Sequence, residues 1–259
     1  MPTCLFRRLI PAMLLGIACI CTVAAAQDLS EWMIGVYADA GAHPSCVSPA
    51  ESMFRWMGFS TRRVYAEDLN DWQIDDLAAI YFPGGDSPPY IERISPLAKQ
   101  RLRTAISNGM AYIGTCAGAM FAAEVQVWEG VDYTDGQLGV FQGAAVGPAP
   151  GICGGEETCG TALRADPEHP VSQDASTTFM VRYYNSPYLE AEPDVETHVL
   201  ASYVATGEPA IVAQRYGDGW VLLTGPHPEW ERTMTWTFIK NCVLWSLDLL
   251  AQPEETGNT

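Results

Sequence analysis

MAYIGTCAGAMFAAE, Met110 to Glu124, is the stretch whose reading decides the fold. Met110 to Thr115 is an apolar run with β-type residues, and the Ala-rich remainder reads as a short helix. Cys116 stands between them, with Gly114 and Gly118 two residues to either side. That is the G-x-nucleophile-x-G spacing of a nucleophile elbow. A strand turns sharply into a helix, the nucleophile takes a strained backbone conformation, and the glycines avoid clashes. The thiol then stands at a helix N-terminus, where the dipole favours thiolate. The competing reading is a buried core cysteine among small packing residues.

The flanking sequence supplies a matching frame. Met33 to Asp39 reads as a buried strand, and Ser48-Pro49-Ala50-Glu51 as a capping box that opens a helix running to about Met57, ended by Gly58. Ser60 to Tyr65 and Leu77 to Phe82 read as strands, the second stopping abruptly at Pro83-Gly84-Gly85-Asp86. A helix opens at Ser95-Pro96 and closes at Asn108-Gly109. Strands alternating with helices predict an α/β, flavodoxin-like, doubly wound fold with a mostly parallel sheet and helices on both faces. The second half reads as added β-hairpins, with strands at Gln137–Val146, Thr178–Tyr184, His198–Tyr203, Ala210–Arg215 and Trp220–Leu223. Gly217-Asp218-Gly219 is a turn between the last two, and Thr235 to Leu250 a closing helix. One domain over 27–250 and a disordered tail over 251–259 are expected.

The first 26 residues stand apart. Arg7 and Arg8 precede an apolar run from Leu9 to Val23 and then Ala24-Ala25-Ala26, the pattern of a secretory signal peptide cleaved after Ala26. The run is short of the ~20 residues of a spanning helix, so a periplasmic or secreted protein with no membrane association after cleavage is expected. The chain carries 31 acidic and 14 basic residues, a formal net charge of −17 over 259 residues. Losing Arg7 and Arg8 makes the remainder more acidic still. Such a surface repels phosphate backbones and argues against a nucleic-acid partner. Cys46, Cys116, Cys153, Cys159 and Cys242 remain after the leader, an odd number that flags a free thiol. Cys153 and Cys159 bracket a Gly-rich loop and are candidates for a disulfide, with Cys46 and Cys242 as the other candidate pair.

Two further motifs give Cys116 chemical company. Gly225-Pro226-His227-Pro228-Glu229 follows an apolar strand and places a base and an acid two residues apart, as a cysteine nucleophile requires. Pro83-Gly84-Gly85-Asp86 ends the strand expected beside that of Cys116, and its glycine amides, with that of Ala117, suit an oxyanion. Singly, each has a bland reading: a loop histidine, a solvated acid, a strand-ending turn.

Taken together, PGGD, IGTCAGAMF and GPHPE resemble the class I glutamine amidotransferase-like superfamily. GVYADAG, PGGDSPPY, LGVFQGAAVGP, RYYN and GDGWVLLTGPHPEW narrow the resemblance to the biotin-protein ligase N-terminal domain family. The likeness implies Cys116 as nucleophile, His227 as base and Glu229 as orienting acid. It implies Gly84, Gly85 and Ala117 as the oxyanion pocket. Asp86, Tyr184 and Asn185 are further candidates beside the substrate, read from the residues, with strand packing as the competing reading of Tyr183-Tyr184. The family's YYNGG run reads YYNSP here, with Ser186-Pro187 in place of two glycines. No GRGR-type biotin-adenylate loop occurs, so biotin ligation is not expected, nor is an ammonia-supplying role.

The expected function is an exported Cys-His-Glu hydrolase of a small amide or acyl substrate; the alternative is an inactive small-ligand binding or sensor module. A third reading, the ThiJ/PfpI type acting on reactive carbonyls, lacks its usual first-strand glutamate, since Ala38, Asp39 and Ala40 stand there. No cofactor or metal is expected: H-E-x-x-H, C-x-x-C and P-loop patterns are absent. His43, His169 and His198 read as surface or structural residues, Asp39 as a solvated loop acid, and Tyr183 as strand packing.

Overall fold

The computed structural model describes residues 28–153, 157–232 and 234–250. The leader and the 251–259 tail lie outside them.

Among the described residues, thirteen strands and six α-helices follow one another along the chain. The strands β1 (Met33–Tyr37), β2 (Ser60–Val64), β3 (Ala79–Phe82) and β4 (Ala111–Thr115) come first, with helices α1 (Pro44–Met57), α2 (Ala66–Asn70), α3 (Ser87–Arg93), α4 (Pro96–Ser107) and α5 (Ala117–Ala122) around them. Then come β5 (Ala123–Trp128), β6 (Val131–Asp132), β7 (Phe141–Gly147), β8 (Cys159–Ala165), β9 (Thr178–Tyr183), β10 (Tyr188–Ala191), β11 (Thr197–Tyr203), β12 (Pro209–Tyr216), β13 (Gly219–Thr224) and α6 (Met234–Ser246).

A nine-stranded sheet has the order β2-β1-β3-β4-β13-β12-β11-β8-β9. Its first five strands are parallel, and every pairing from β13 to β9 is antiparallel. The sheet is therefore mixed, not mostly parallel. The reason lies in the connections: parallel neighbours need crossovers of about a dozen residues or more, which helices supply only in the first half. Between β12 and β13, Tyr216 pairs with Gly219 across the two-residue turn Gly217-Asp218, which permits only an antiparallel return. A smaller sheet, β10-β7-β5-β6, has one parallel pairing, β5 with β7.

Both faces of the large sheet are covered. On one face, Met53 and Phe54 of α1 and Phe238, Ile239 and Val243 of α6 pack with Ile34, Val36, Tyr81 and Ile113. On the other, Leu102 and Ile106 of α4 and Phe121 of α5 pack with Phe82, Tyr112 and Val221. Every residue of β3, β4 and β13 is buried, as expected of central strands with helices on both sides.

Several elements depart from the sequence reading. Helix α1 starts at Pro44, not Ser48, because His43 caps it, its ring Nδ1 accepting from the Ser45 amide at 3.3 Å. Glu51 is then no capping-box member; its Oε2 takes Arg63 Nη2 of β2 at 2.9 Å. The closing helix ends at Ser246 rather than Leu250. Cys153 and Cys159 form a disulfide, but Cys46 and Cys242 are both free. Cys242 is buried within the α6 core, while Cys46 lines the cleft beside His227.

Candidate active site

Adjacent parallel strands β3, β4 and β13 end at the same sheet edge. Gly114 sits in register with Phe82 on one side and Leu223 on the other. Each strand delivers one loop there: Pro83-Gly84-Gly85-Asp86, Cys116 and Gly225-Pro226-His227. This is the carboxyl edge at which open α/β sheets place their sites.

Cys116 has φ 51° and ψ −107°, a conformation that costs a non-glycine residue on the order of 1–3 kcal/mol. Neighbouring contacts hold it there. Its amide donates to the Thr224 carbonyl at 2.9 Å, and the Thr115 and Thr224 hydroxyls meet at 3.0 Å. Tyr112 hydroxyl donates to the Gly118 carbonyl at 2.7 Å. A Cβ at Gly118 would run into the Phe82 carbonyl, so only glycine lets α5 lie this close to β3. A Cβ at Gly84 would overlap the His227 ring and stand 3.3 Å from Cys46 Sγ.

His227 is oriented from several directions. Its amide donates to the Arg182 carbonyl of β9 at 2.8 Å, an isolated antiparallel bridge from the far end of the sheet. Its Nδ1 lies 2.9 Å from Glu229 Oε1, and its ring stacks on Trp230 at 4.0 Å and 6°. Trp230 Nε1 in turn donates to the Ser45 carbonyl at 2.8 Å. Both His227 and Glu229 are buried, at 2% and 1% exposure. Burial alone would lower the imidazole pKa; the Glu229 carboxylate and the Cys116 sulfur outweigh it and hold it well above 6.5. With Nδ1 engaged by Glu229, Nε2 is the nitrogen left to serve the Cys116 thiol. It is buried and forms no hydrogen bond among the described residues, as in many catalytic sites, where contacts tighten only on substrate binding.

The amides of Gly84, Gly85 and Ala117 have no protein acceptor among the described residues, whereas that of Gly118 is taken by the Pro83 carbonyl at 3.2 Å. Two cavities meet at Cys116. One, of about 320 Å³, is walled by Gly85, Asp86, Met120, Gln126, Trp128 and Tyr184, with Asn185 at its side. The other, of about 660 Å³, runs past His43, Cys46, His227 and Trp230. Among the described residues, neither is lined by lysine or arginine, and Asp86 is the acid common to both.

The structure thus brings together every site residue read from the sequence: Cys116, His227, Glu229, Gly84, Gly85, Asp86, Ala117, Tyr184 and Asn185. His169 and His198 lie elsewhere, around Trp245. Asp39 is not a free acid: its carboxylate accepts from the amides of Ala40 at 2.7 Å and Ala66 at 3.1 Å, capping α2. Tyr183 is packing, its hydroxyl donating to the Ala149 and Ser186 carbonyls.

Sequence reasoning missed the place of Cys46, whose Sγ lies 3.8 Å from His227 Nδ1, and that of Trp230. It also missed the β5 wall, where the Ser87 hydroxyl donates to buried Gln126 Oε1 at 2.9 Å. The alternation Glu124-Val125-Gln126-Val127-Trp128 was the signal for β5. Cys46 had none, since 181 residues separate it from His227.

The family model described as "Biotin-protein ligase, N terminal" matches residues 33–243. A biotin–protein ligase of Schizosaccharomyces pombe is 28% identical over 167 residues, covering 60% of this chain and 26% of the yeast protein. An uncharacterised protein of Chlamydia muridarum is 31% identical over 158 residues, covering 58% of this chain and 60% of its own. The match thus spans about a quarter of one curated relative and three-fifths of the other. Among solved structures, PurLQS from Thermotoga maritima has a TM-score of 0.56 at 17% identity, covering 83% of this chain and 99% of that one. A putative GMP synthase protein from Thermoplasma acidophilum has 0.53 at 16%, with coverages of 83% and 96%. At these identities the likeness is one of fold.

Proposed function

The chain belongs to the biotin-protein ligase N-terminal family, with the class I glutamine amidotransferase-like fold, and from that premise and the site's geometry we propose that it hydrolyses a small amide or related acyl compound, with Cys116 as nucleophile. The observation that carries this reading is the convergence of β3, β4 and β13. Their ends bring a strained cysteine, a carboxylate-backed histidine and three unbonded amides to one cleft.

Cys116 sulfur attacks the substrate carbonyl while His227 Nε2 holds the thiol proton. The amides of Gly84, Gly85 and Ala117 receive the oxyanion, where preorganised donors are worth several kcal/mol in a water-poor site. His227 then passes its proton to the leaving amine. Water, deprotonated by the same imidazole, releases the acid and the free thiol. Glu229 keeps Nδ1 protonated and fixes the ring, so that Nε2 accepts. With no lysine or arginine among the described wall residues, and Asp86 in both cavities, the site favours a substrate whose remote end is neutral or cationic. Trp128, Tyr133 and Met120 offer it apolar contact, and Gln126 a polar one.

We place this activity outside the cytosol, on the leader-like first 26 residues. Biotin ligation forms no part of the proposal, since the yeast ligase extends far beyond the shared segment.

The test uses an activated acyl ester and intact-mass spectrometry. An acyl adduct on Cys116 that decays with time, absent in Cys116→Ala, is the expected result. No adduct, or ester hydrolysis untouched by Cys116→Ala, contradicts it. A second reading, a binding module, draws on the loop at Ser186-Pro187. The Ser186 carbonyl accepts from Ala149 and Tyr183, and the Pro187 carbonyl from the Tyr203 hydroxyl at 2.8 Å. This stiffens the segment that carries Tyr184 and Asn185. A stable adduct that never turns over favours that reading.

A further inference from the structure

We propose that Cys46, His227 and Glu229 form a binding site for a thiophilic divalent cation, zinc(II) foremost, and that its occupation turns the Cys116 centre off. The proposal concerns the same cleft as the hydrolase reading but does not depend on acyl chemistry.

Cys46 Sγ, His227 Nδ1 and a Glu229 carboxylate oxygen all lie within 4.8 Å of one another, and all three residues are buried. Sγ to Nδ1 is 3.8 Å, and Nδ1 to Oε1 is 2.9 Å. Ordinary zinc bond lengths in a tetrahedron give separations of about 3.6 Å for sulfur to nitrogen and about 3.4 Å for nitrogen to oxygen. These two separations therefore need to change by only about half an ångström or less, while the sulfur–oxygen separation, within 4.8 Å, closes by up to about one ångström as the Glu229 carboxylate swings from the ring towards the ion. Thiolate, imidazole and carboxylate are together a donor set for zinc rather than for magnesium or calcium.

A second, independent observation points the same way. Glu229 Oε2 is buried and has no hydrogen-bond partner among the described residues. A buried carboxylate oxygen left unsatisfied is costly and calls for an occupant. Gly84 keeps the space beside the donors free of side chain: a Cβ there would stand 3.0 Å from Nδ1 and 3.3 Å from Sγ. Cys46 and His227 also line the larger cavity, which gives the ion a way in, and the strongly acidic chain draws cations toward it.

Binding is balanced by proton release. The Cys46 thiol and any proton on Nδ1 go to buffer, and sulfur and nitrogen lone pairs bind the metal. The remaining imidazole proton is then confined to Nε2. A ring metallated on Nδ1 and protonated on Nε2 donates but cannot accept, so it no longer takes the Cys116 proton. Glu229 is drawn from the ring to the ion at the same time. Cys46 thus acquires a role that the acyl chemistry does not give it.

The test is isothermal titration with zinc chloride alone on full-length wild type, Cys116→Ser and Cys46→Ala, each checked for fold by circular dichroism. Wild type and Cys116→Ser should bind one equivalent, and Cys46→Ala should bind at least about 10²-fold more weakly, since even an outer-shell partner is worth about 10–100-fold. Cobalt(II) supplies a readout that does not rely on the Cys46→Ala fold: Cys116→Ser should keep the thiolate-to-cobalt absorption of the wild type. In the wild type, zinc should slow Cys116 alkylation and EDTA restore it. Absence of binding at tens of micromolar zinc overturns the proposal. So does binding that survives Cys46→Ala, or a cobalt thiolate band lost with Cys116→Ser. Zinc binding through Cys46 together with an inert Cys116 would refute the hydrolase reading and leave the metal site standing.

Discussion

Two groups of sheltered histidines in this molecule are built to opposite ends. His227 lies beside a carboxylate at 2.9 Å and holds its proton well above 6.5. His169 and His198 pack around Trp245, with ring centroids 4.9 and 4.8 Å from it, in the antiparallel half. Burial pulls His169 down to about 4, with His198 as a like-charged neighbour adding to the effect and Asp166 offsetting only part of it. His198 is lowered in the same way, since Glu196, almost fully exposed at 3.9 Å, offsets little. Burial alone decides nothing; a partner placed by the fold decides whether a histidine serves as a base or as an aromatic filler. The difference tracks the sheet. Parallel strand ends converge to bring Cys116 and the Glu229 carboxylate to His227, with Cys46 added from α1, while His169 and His198 meet the Trp245 ring of α6 and, among the described residues, no buried carboxylate.

The sharpest way to break that contrast is Glu229→Gln. Without its carboxylate, His227 keeps only the sulfurs of Cys116 and Cys46 against burial. Its pKa, followed by imidazole NMR, should fall towards the range of His169, and Cys116 alkylation at neutral pH should slow by about 10²-fold. A pKa that stays high would show that the carboxylate is not the cause.

A smaller effect tests whether the two halves are separable. Replacing Cys153 and Cys159 by serine removes a short cross-link next to β8, and a loop of this size stabilises by about 2 kcal/mol. Urea unfolding should report that loss, with Cys116 alkylation unchanged. A changed alkylation rate would tie the disulfide loop to the site.

The pH dependence of stability should carry opposite signatures from the two groups. A histidine with a depressed folded pKa stabilises fully above 6.5 and loses that contribution as pH falls towards about 4. His169→Phe, which keeps the ring contacts, should therefore lose less stability than wild type between pH 6.5 and 4. His227 has a raised folded pKa, so its contribution is complete below 6.5 and fades as pH rises through the folded value. The stability gap between wild type and His227→Gln should be widest at or below pH 6.5 and narrow in alkali. Parallel curves in either experiment would contradict the assignments.

Legibility in the sequence follows the same division. The parallel half was readable where its strands β3, β4 and β13 are fully buried apolar runs with Gly or Pro at or beside their ends and where α1 and α4 carry local stop signals; the short helices α2 and α3 were missed. MAYIGT, LAAIYF and VLLTG could each be placed without knowing their partners. The elbow, the His-x-Glu pair and the glycine turn were readable because each is a contiguous motif. Strands β8 and β10 were missed, since CGTALRA and YLEA carry one strong β-former each, Thr161 and Tyr188, and are held mainly by cross-strand pairing. The capping box at Ser48 failed because His43 offered a cap one turn earlier. The Cys46–Cys242 pairing failed because cysteine arithmetic carries no geometry. Cys46 itself stayed hidden because its meaning depends wholly on the fold bringing α1 beside His227.

The most direct test of the central claim is the rate of Cys116 alkylation by iodoacetamide across pH, followed by mass spectrometry in wild type and His227→Ala. An activated pair predicts fast labelling at neutral pH, slowed by about 10²–10³-fold in the variant. Labelling that rises only in alkali, with the same profile in both proteins, would contradict it and leave Cys116 an inert thiol in a strained turn.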